Sequence, residues 1–228
     1  MFFLIVHSSF IAYLLIYALI PYKILKRGKV KPNILLSFYF ILTILAYIFN
    51  FIYFSIENHL LYQAFSTLSW FLRYFSLIFL TFFVLYIYLE GNLKKELIIG
   101  VMGLYAIILG ILFLLPSQIL YFPGTNKTPI WSFYFIITMV LVITIFFTLP
   151  GWIYSFIIYK RFQNEETKRR WKRFIIGLLG VTSIYYLEIY EVSPVGKPII
   201  LEIVFAIYIF SAVIIWGYFL YQGLGRKI

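Results

Sequence analysis

The chain has 228 residues, of which 64% are hydrophobic and only 12% are charged, and its formal net charge is +11. A water-soluble domain is nearer to half apolar and a quarter charged, so these proportions exclude an ordinary soluble fold. The sequence has no cysteine, no aspartate and only two histidines, which excludes disulfides and thiolate chemistry and disfavours a histidine-rich metal site. We therefore expect a multi-pass integral protein of the cell membrane without a metal or cofactor.

Seven apolar runs follow one another along the chain, each close to the roughly 20 residues that cross a bilayer as an α-helix. Polar or proline-containing segments separate them. We predict an all-α bundle of seven transmembrane helices that forms one domain over residues 1–228. In chain order, the predicted spans are Phe2–Tyr22, Ile34–Phe54, Leu61–Leu89, Leu97–Leu115, Ile130–Tyr159, Phe174–Tyr190 and Ile199–Gln222.

Positive charges are distributed unevenly between these runs. If the N-terminus lies outside the cell, sixteen of the 19 Lys and Arg residues fall on inner segments and two on outer loops, while Arg73 lies within the third span. Loops rich in Lys and Arg stay on the cytoplasmic side. The pattern predicts an outer N-terminus and an inner C-terminus, and it assigns the basic charge to membrane orientation rather than to nucleic acid.

Two local motifs lie in the fifth span and in the loop before it. Pro150 falls inside the span and predicts a kink, because proline removes a backbone donor and clashes with the preceding turn. Asn126-Lys127-Thr128 matches a glycosylation sequon on a predicted outer loop, which makes Asn126 a candidate for modification.

Ionisable side chains gather in the outer half of the predicted bundle. An arginine within a span needs an anion, and the nearest acidic residues at similar depth are Glu188 and Glu202. We predict a polar pocket in which Arg73 and these two glutamates bind a small ligand. The alternative is a structural ion pair that ties the spans together. Three more candidates lie near the same surface: Glu57, His59 and Glu191.

A strongly basic stretch, residues 160–173, connects the fifth and sixth spans on the predicted inner side. We expect it to extend both helices around a short turn. Its charges suit contact with anionic headgroups or docking of an inner-side protein. The residues proposed for this role are Lys168, Arg169, Arg170, Lys172 and Arg173.

Known catalytic patterns of membrane proteins do not fit this sequence. Glu165-Glu166 begins a match to the EExxxR motif of CAAX-protease-like enzymes, but the pair lies in a basic inner loop and no histidine follows it. The seventh predicted span has no lysine that could form a retinal Schiff base. We therefore expect a protein without enzymatic activity.

The order of features resembles the seven-helix N-terminal sensor region of microbial histidine kinases. The similar motifs are Ser69-Trp70-Phe71-Leu72-Arg73 in the third span and the basic run 168–173 that leads to Gly177 and Gly180. The resemblance implies a sensory function. Because a sensor kinase continues into a dimerisation helix and an ATP-binding domain, whereas this sequence ends six residues after Gln222, a separate signalling partner is expected.

The leading functional expectation is a receptor-like protein that binds an outer-side ligand and signals through an inner-side partner. Two alternatives remain open: a structural subunit of a larger membrane assembly, and a small transporter that uses the intramembrane arginine and glutamates. The composition, rich in Ile, Phe, Tyr and Lys, suggests an AT-rich archaeal or bacterial genome.

Overall fold

The computed structural model describes residues 2–56, 58–114, 119–120, 130–192, 204, 208, 211 and 215–223. Within these ranges, the side chains of residues 2–13, 16, 54, 59, 119, 120 and 130 are not described. The elements are α1 (Phe2–Arg27), α2 (Lys31–Phe54), α3 (His59–Tyr88), α4 (Lys95–Leu114), β1 (Ile119–Leu120), β2 (Ile130–Trp131), α5 (Phe133–Ile143), a π-helical turn (Thr144–Thr148), α6 (Leu149–Arg161) and α7 (Glu165–Glu191). Residues 215–223 form a further helical segment.

Within the described part of the chain, five helices are long and apolar enough to cross a membrane, which supports a membrane-embedded protein. They correspond to the second to sixth predicted spans. The first predicted span lies within α1. Most of the seventh lies outside the described residues. The positions that the structure describes in this region, 204, 208, 211 and 215–223, are helical. The helical membrane-type fold is thus confirmed, and seven crossings stay a prediction. The five spans are Lys31–Tyr53, Leu60–Tyr88, Lys95–Leu114, Phe133–Arg161 and Glu165–Glu191.

The outward faces of α4 and of the continuous α5–α6 span are apolar. Their exposed residues recur every three or four positions, which places them along one side of each helix. An apolar face of this length is unusual on a protein in water, whereas acyl chains would cover it in a bilayer. The exposed side chains include Leu104, Ile107, Ile111 and Leu114 on α4 and Ile137, Leu141, Ile145, Leu149 and Ile153 on the α5–α6 span.

Helix α3 lies at the centre of the bundle and packs against α2, α4 and α6. Every residue from Ser76 to Val84 is buried. This stretch is apolar around almost its whole circumference, a pattern typical of a helix enclosed on all sides.

Side-chain caps define where three helices begin. Asn58 Oδ1 accepts hydrogen bonds from the amides of Leu60 and Leu61, so α3 begins at His59. Ser132 caps α5 in the same way, and for this reason the helix begins two residues after β2 rather than at Ile130. Asn164 caps α7, and two glutamates in the first turn favour the positive end of the helix dipole. Helix α7 therefore begins at Glu165, nine residues before the predicted apolar span.

The bundle has two ends, which we name by their charged residues. The Glu188 end contains the start of α3 and the end of α7, and the arginine end contains the ends of α1 and α6 and the start of α7. At the Glu188 end, β1 and β2 form a two-residue antiparallel pair. The Trp131 amide donates to the Val192 carbonyl (2.8 Å), which joins β2 to the end of α7.

The π-helical turn lies directly before Pro150. Proline has no amide hydrogen, so it cannot donate to the carbonyl four residues earlier, that of Phe146. Thr81 Oγ1 on α3 donates to this carbonyl instead (2.9 Å). The helix thus departs from regular α-geometry directly before Pro150, at a polar contact with α3. The kink at Pro150 itself stays a prediction.

Glycines allow segment 215–223 to lie very close to α7 and α1. A Cβ added to Gly177 would lie 2.7 Å from the main-chain nitrogen of Leu220, and one added to Gly180 would overlap the Trp216 ring. A Cβ on Gly217 would meet Tyr17 Oη at 2.8 Å. Small residues at such positions let membrane helices approach each other closely.

We predict that Gly177→Ala destabilises the protein by about 1–3 kcal/mol, because the new methyl group meets main-chain atoms that cannot move aside easily. Gly103→Ala on α4 is the matched control, since nothing lies within 4 Å of its added Cβ. Alanine at such an open helical position should stabilise by about 0.5–1 kcal/mol. Thermal unfolding in detergent measures both changes, and equal effects would contradict the close helix contact.

Candidate functional site

Arg73 on α3 and Glu188 on α7 form a buried ion pair. Arg73 Nη1 lies 2.8 Å from Glu188 Oε1, and the two residues are only 7% and 3% exposed. Charges inside a membrane protein are usually paired or functional, because leaving one alone in an apolar environment is costly. Of the two counter-ions expected from the sequence, the structure pairs Glu188 with the arginine.

Aromatic rings complete the surroundings of the arginine. The guanidinium carbon of Arg73 lies 4.2 Å from the centre of the Tyr47 ring and 5.2 Å from that of Trp70. The negative face of each ring attracts the cation, and this attraction strengthens when water is excluded. Tyr47 belongs to α2, so the charge also holds a third helix in place.

Hydrogen bonds to the main chain of Arg73 join the same helices. Its carbonyl oxygen accepts hydrogen bonds from Ser76 Oγ (2.6 Å) and from Tyr185 Oη (3.1 Å). Thr43 Oγ1 of α2 lies 3.2 Å from Ser76 Oγ. Helix α7 is thus fastened to α3 through both Tyr185 and Glu188, which are one turn apart.

A small cavity adjoins Glu188 between α1, α2 and α7. The centre of a water-sized sphere can occupy about 10 Å³ of it, which corresponds to about one water molecule. Its walls are unusually rich in tyrosine. The lining residues are Tyr17, Tyr39, Thr43, Tyr47, Val181, Ile184, Tyr185 and Glu188. In this conformation the site is too small for an organic ligand.

Several buried polar atoms at this end have no hydrogen-bond partner among the residues that the structure describes. They are Glu188 Oε2, Trp70 Nε1, Tyr74 Oη and Trp131 Nε1. The two tryptophan rings are in edge-to-face contact (5.1 Å), and Trp70 stacks on Tyr74 (6.0 Å). Because buried polar groups are nearly always hydrogen-bonded, the concentration of such atoms sets this end of the bundle apart, and Glu188 is the one of the four that also lines the cavity.

The remaining outer candidates are not part of this buried cluster as far as it is described. Glu191 is exposed in the last turn of α7. His59 is the first residue of α3, and its side chain is outside the description. Three predicted residues lie outside the described part of the chain: Glu57, Asn126 and Glu202.

Sequence reasoning missed the tyrosines that surround the pair. A usable signal exists, because Tyr39, Thr43 and Tyr47 recur at every fourth position and therefore share one face of α2. Ser69, Arg73 and Ser76 on α3 lie four and three residues apart, which also places them on one face, and all three are buried. Polar side chains aligned on one face of an apolar helix indicate a face that points into the bundle.

The basic stretch lies at the arginine end, as an extension of α6 and α7 on either side of residues 162–164. Arg169, Arg170 and Arg173 line a cavity there. Lys168 instead pairs with Glu165 (3.5 Å), and Lys172 is exposed.

Chemically, the arrangement at the Glu188 end is suited to recognise charge and hydrogen-bonding groups. Among the described residues, no group of three or more His, Cys, Asp or Glu side chains could hold a metal ion. Comparison with models of known protein families, with curated proteins and with solved structures finds no match to this chain. Function is therefore inferred from the geometry of the site.

We predict that Arg73→Met destabilises the protein by about 3–5 kcal/mol, because it leaves the Glu188 carboxylate buried without its cation. Adding Glu188→Gln removes the uncompensated charge, so the double variant should lose clearly less than the sum of the two single variants. Thermal or denaturant unfolding in detergent provides this double-mutant cycle.

The matched control for this cycle is the exposed pair between Lys168 and Glu165. Lys168→Gln should cost less than about 1 kcal/mol, as is usual for surface ion pairs. Strictly additive losses for Arg73→Met and Glu188→Gln would contradict a direct interaction between the two side chains.

Proposed function

We propose that this chain is a non-enzymatic, receptor-like protein of the cell membrane. In this proposal the Glu188 end binds a small polar ligand, and α7 transmits the resulting change to a separate partner at the arginine end. The observation that carries the proposal is the length of α7, an uninterrupted helix of 27 residues that includes both Glu188 and the basic residues 168–173.

The dimensions of α7 suit such transmission. Eighteen residues separate Arg170 from Glu188, which is about 27 Å at 1.5 Å per residue and close to the thickness of the hydrocarbon core. No proline interrupts this helix, so a shift or rotation at one end moves the other. At the Glu188 end, the charged contact of α7 is the ion pair with Arg73, which makes this pair the natural control point.

The chemistry of the site restricts the ligand. The cavity beside Glu188 has room for about one water molecule, so a larger guest must part α7 from α1 and α2. A guest with a cationic or donor group can take the place of the arginine on Glu188, and the tyrosines that line the cavity offer hydroxyl groups and ring faces to the rest of the guest. A small amphiphilic molecule, partly aromatic and partly polar, fits these surroundings.

The partner follows from the resemblance to the sensor region of histidine kinases. Such a sensor passes a helix movement to a kinase module, and we propose that here the module is a separate inner-side protein. Lys168 and Lys172 at the start of α7 offer it a basic contact surface, and Lys172 is exposed.

The proposal places the Glu188 end outside the cell and the arginine end inside. The support is the uneven distribution of Lys and Arg along the chain. Because the chain has no native cysteine, single cysteines can report this orientation without background.

We predict that a membrane-impermeant thiol reagent added to intact cells labels Glu191→Cys and leaves Gln163→Cys unlabelled until the membrane is permeabilised. Glu191 is the last residue of α7, and Gln163 lies two residues before its first residue. Both side chains are exposed. The reverse pattern would contradict the orientation. Labelling of both positions in intact cells would contradict the membrane crossing itself.

The receptor proposal also predicts that Glu188→Gln alters the arginine end. A thiol reporter at Gln163→Cys should change its labelling rate by about 5-fold or more, the lower range of coupling between distant sites. Glu191→Gln is the matched control. It removes the same charge from an exposed side chain that lies three residues after Glu188. The same rate in wild type, Glu188→Gln and Glu191→Gln would contradict transmission through α7.

A further inference from the structure

A second cavity lies at the arginine end, between the last turn of α1, the first turns of α7 and the end of segment 215–223. Its volume is about 440 Å³, within the range of about 300–1,000 Å³ that is typical of small-molecule sites. Four arginines line it: Arg27, Arg169, Arg170 and Arg173. It lies at the opposite end of α7 from the Arg73–Glu188 pair, and its function does not depend on the receptor proposal.

The charge of this cavity is largely uncompensated. Glu166 is the one acidic residue among the described residues of the lining, and it forms an ion pair with Arg170. Arg169 is exposed, and no partner for its guanidinium group is found among the described residues. Among the described lining residues, four guanidinium groups stand against one carboxylate, an excess of three positive charges.

Two of the arginines are held in position by neutral groups. The Arg27 guanidinium donates to Tyr221 Oη and lies 4.7 Å from the centre of that ring. Arg173 Nη1 donates to Gln222 Oε1 (3.0 Å). Neutral partners orient the guanidinium groups without cancelling their charge, so the donors are arranged in advance for an anion. Planar guanidinium groups are especially suited to phosphate oxygens.

The surroundings of the cavity favour a ligand that also has an apolar part. Neighbouring turns of α1 expose Leu15, Leu19 and Tyr22, and segment 215–223 exposes Ile215 and Tyr218. Basic pockets between transmembrane helices at the headgroup level are suited to anionic lipid headgroups. A free phosphate compound would use the arginines but would leave these apolar surfaces without a role.

We propose that the arginine cavity binds the phosphate group of an anionic phospholipid, whose acyl chains lie along the exposed apolar turns of α1 and of segment 215–223. Binding is thereby specific to one cavity, in contrast to general attraction between a basic surface and the membrane. The lipid would join α1, α7 and segment 215–223 from the side of the membrane.

The test compares Arg169→Gln with Lys172→Gln in the purified full-length chain. Both changes remove one positive charge from an exposed side chain on α7, but only Arg169 lines the cavity. Native mass spectrometry counts phosphatidylglycerol or phosphatidylcholine bound from nonionic detergent, and thermal unfolding verifies that each variant is folded. Arg173→Gln is a second cavity variant.

We expect the wild-type chain to retain phosphatidylglycerol in preference to phosphatidylcholine. Arg169→Gln should weaken phosphatidylglycerol binding about tenfold, the loss expected for one hydrogen bond to a charged group, while Lys172→Gln leaves it close to wild type. Equal weakening by both variants would overturn the proposal in favour of a diffuse basic surface. Equal retention of the two lipids would also overturn it.

Competition with pyrophosphate distinguishes a bound lipid from a soluble phosphate compound. It should displace phosphatidylglycerol poorly, because it lacks the acyl chains that contact α1 and segment 215–223. Pyrophosphate that binds the wild-type chain as tightly as the lipid, and is lost with Arg169→Gln, would overturn the lipid assignment.

Discussion

The burial of one positive charge, that of Arg73, governs the arrangement of the Glu188 end. A guanidinium group in an apolar interior is tolerated only where an anion and polarisable surfaces replace water. Here Glu188 of α7 supplies the anion, and Tyr47 of α2 and Trp70 of α3 supply ring faces. Three helices are therefore fixed in rotation as well as in position, because turning any of them would remove one of these partners. Ser76 and Thr43 strengthen the same contact between α2 and α3 through hydrogen bonds to main-chain carbonyls and to each other.

Helix α7 connects this constraint to the opposite end of the bundle. Its middle part is pressed against segment 215–223, where Gly177 and Gly180 leave no gap between the helices. Its first turns present arginines to a cavity that the ends of α1 and of segment 215–223 complete. A change in the Arg73–Glu188 pair would be carried along a helix that is confined on one side by close backbone contact. The receptor proposal requires α7 to move as a rigid body, and an uninterrupted helix without proline is suited to such movement.

Hydropathy and charge predicted the features of this molecule that depend on position along the chain. The apolar runs of roughly 20 residues indicated membrane-type helices, and depth alone made Glu188 a candidate counter-ion for Arg73. Hydropathy and charge could not predict which side of each helix faces which neighbouring helix. Tyr17, Tyr39 and Tyr185 meet around Glu188 because three helices adopt particular rotations. Arg27 and Arg173 line one cavity together with Tyr221 and Gln222 of segment 215–223, a contact between distant parts of the sequence. The early start of α7 depends on the Asn164 cap, which hydropathy does not register.

The contact between Thr81 and the π-helical turn has a consequence for how the protein is assembled. Because Pro150 lacks an amide hydrogen, the Phe146 carbonyl has lost its usual α-helical donor within the span Phe133–Arg161. An unsatisfied carbonyl in hydrocarbon is expensive, and Thr81 on the earlier helix α3 is the group that satisfies it. During synthesis, α3 leaves the ribosome first and is already present when this span emerges. We therefore expect docking on α3 to favour insertion of this span, because the donor on α3 is synthesised before the acceptor that it bonds.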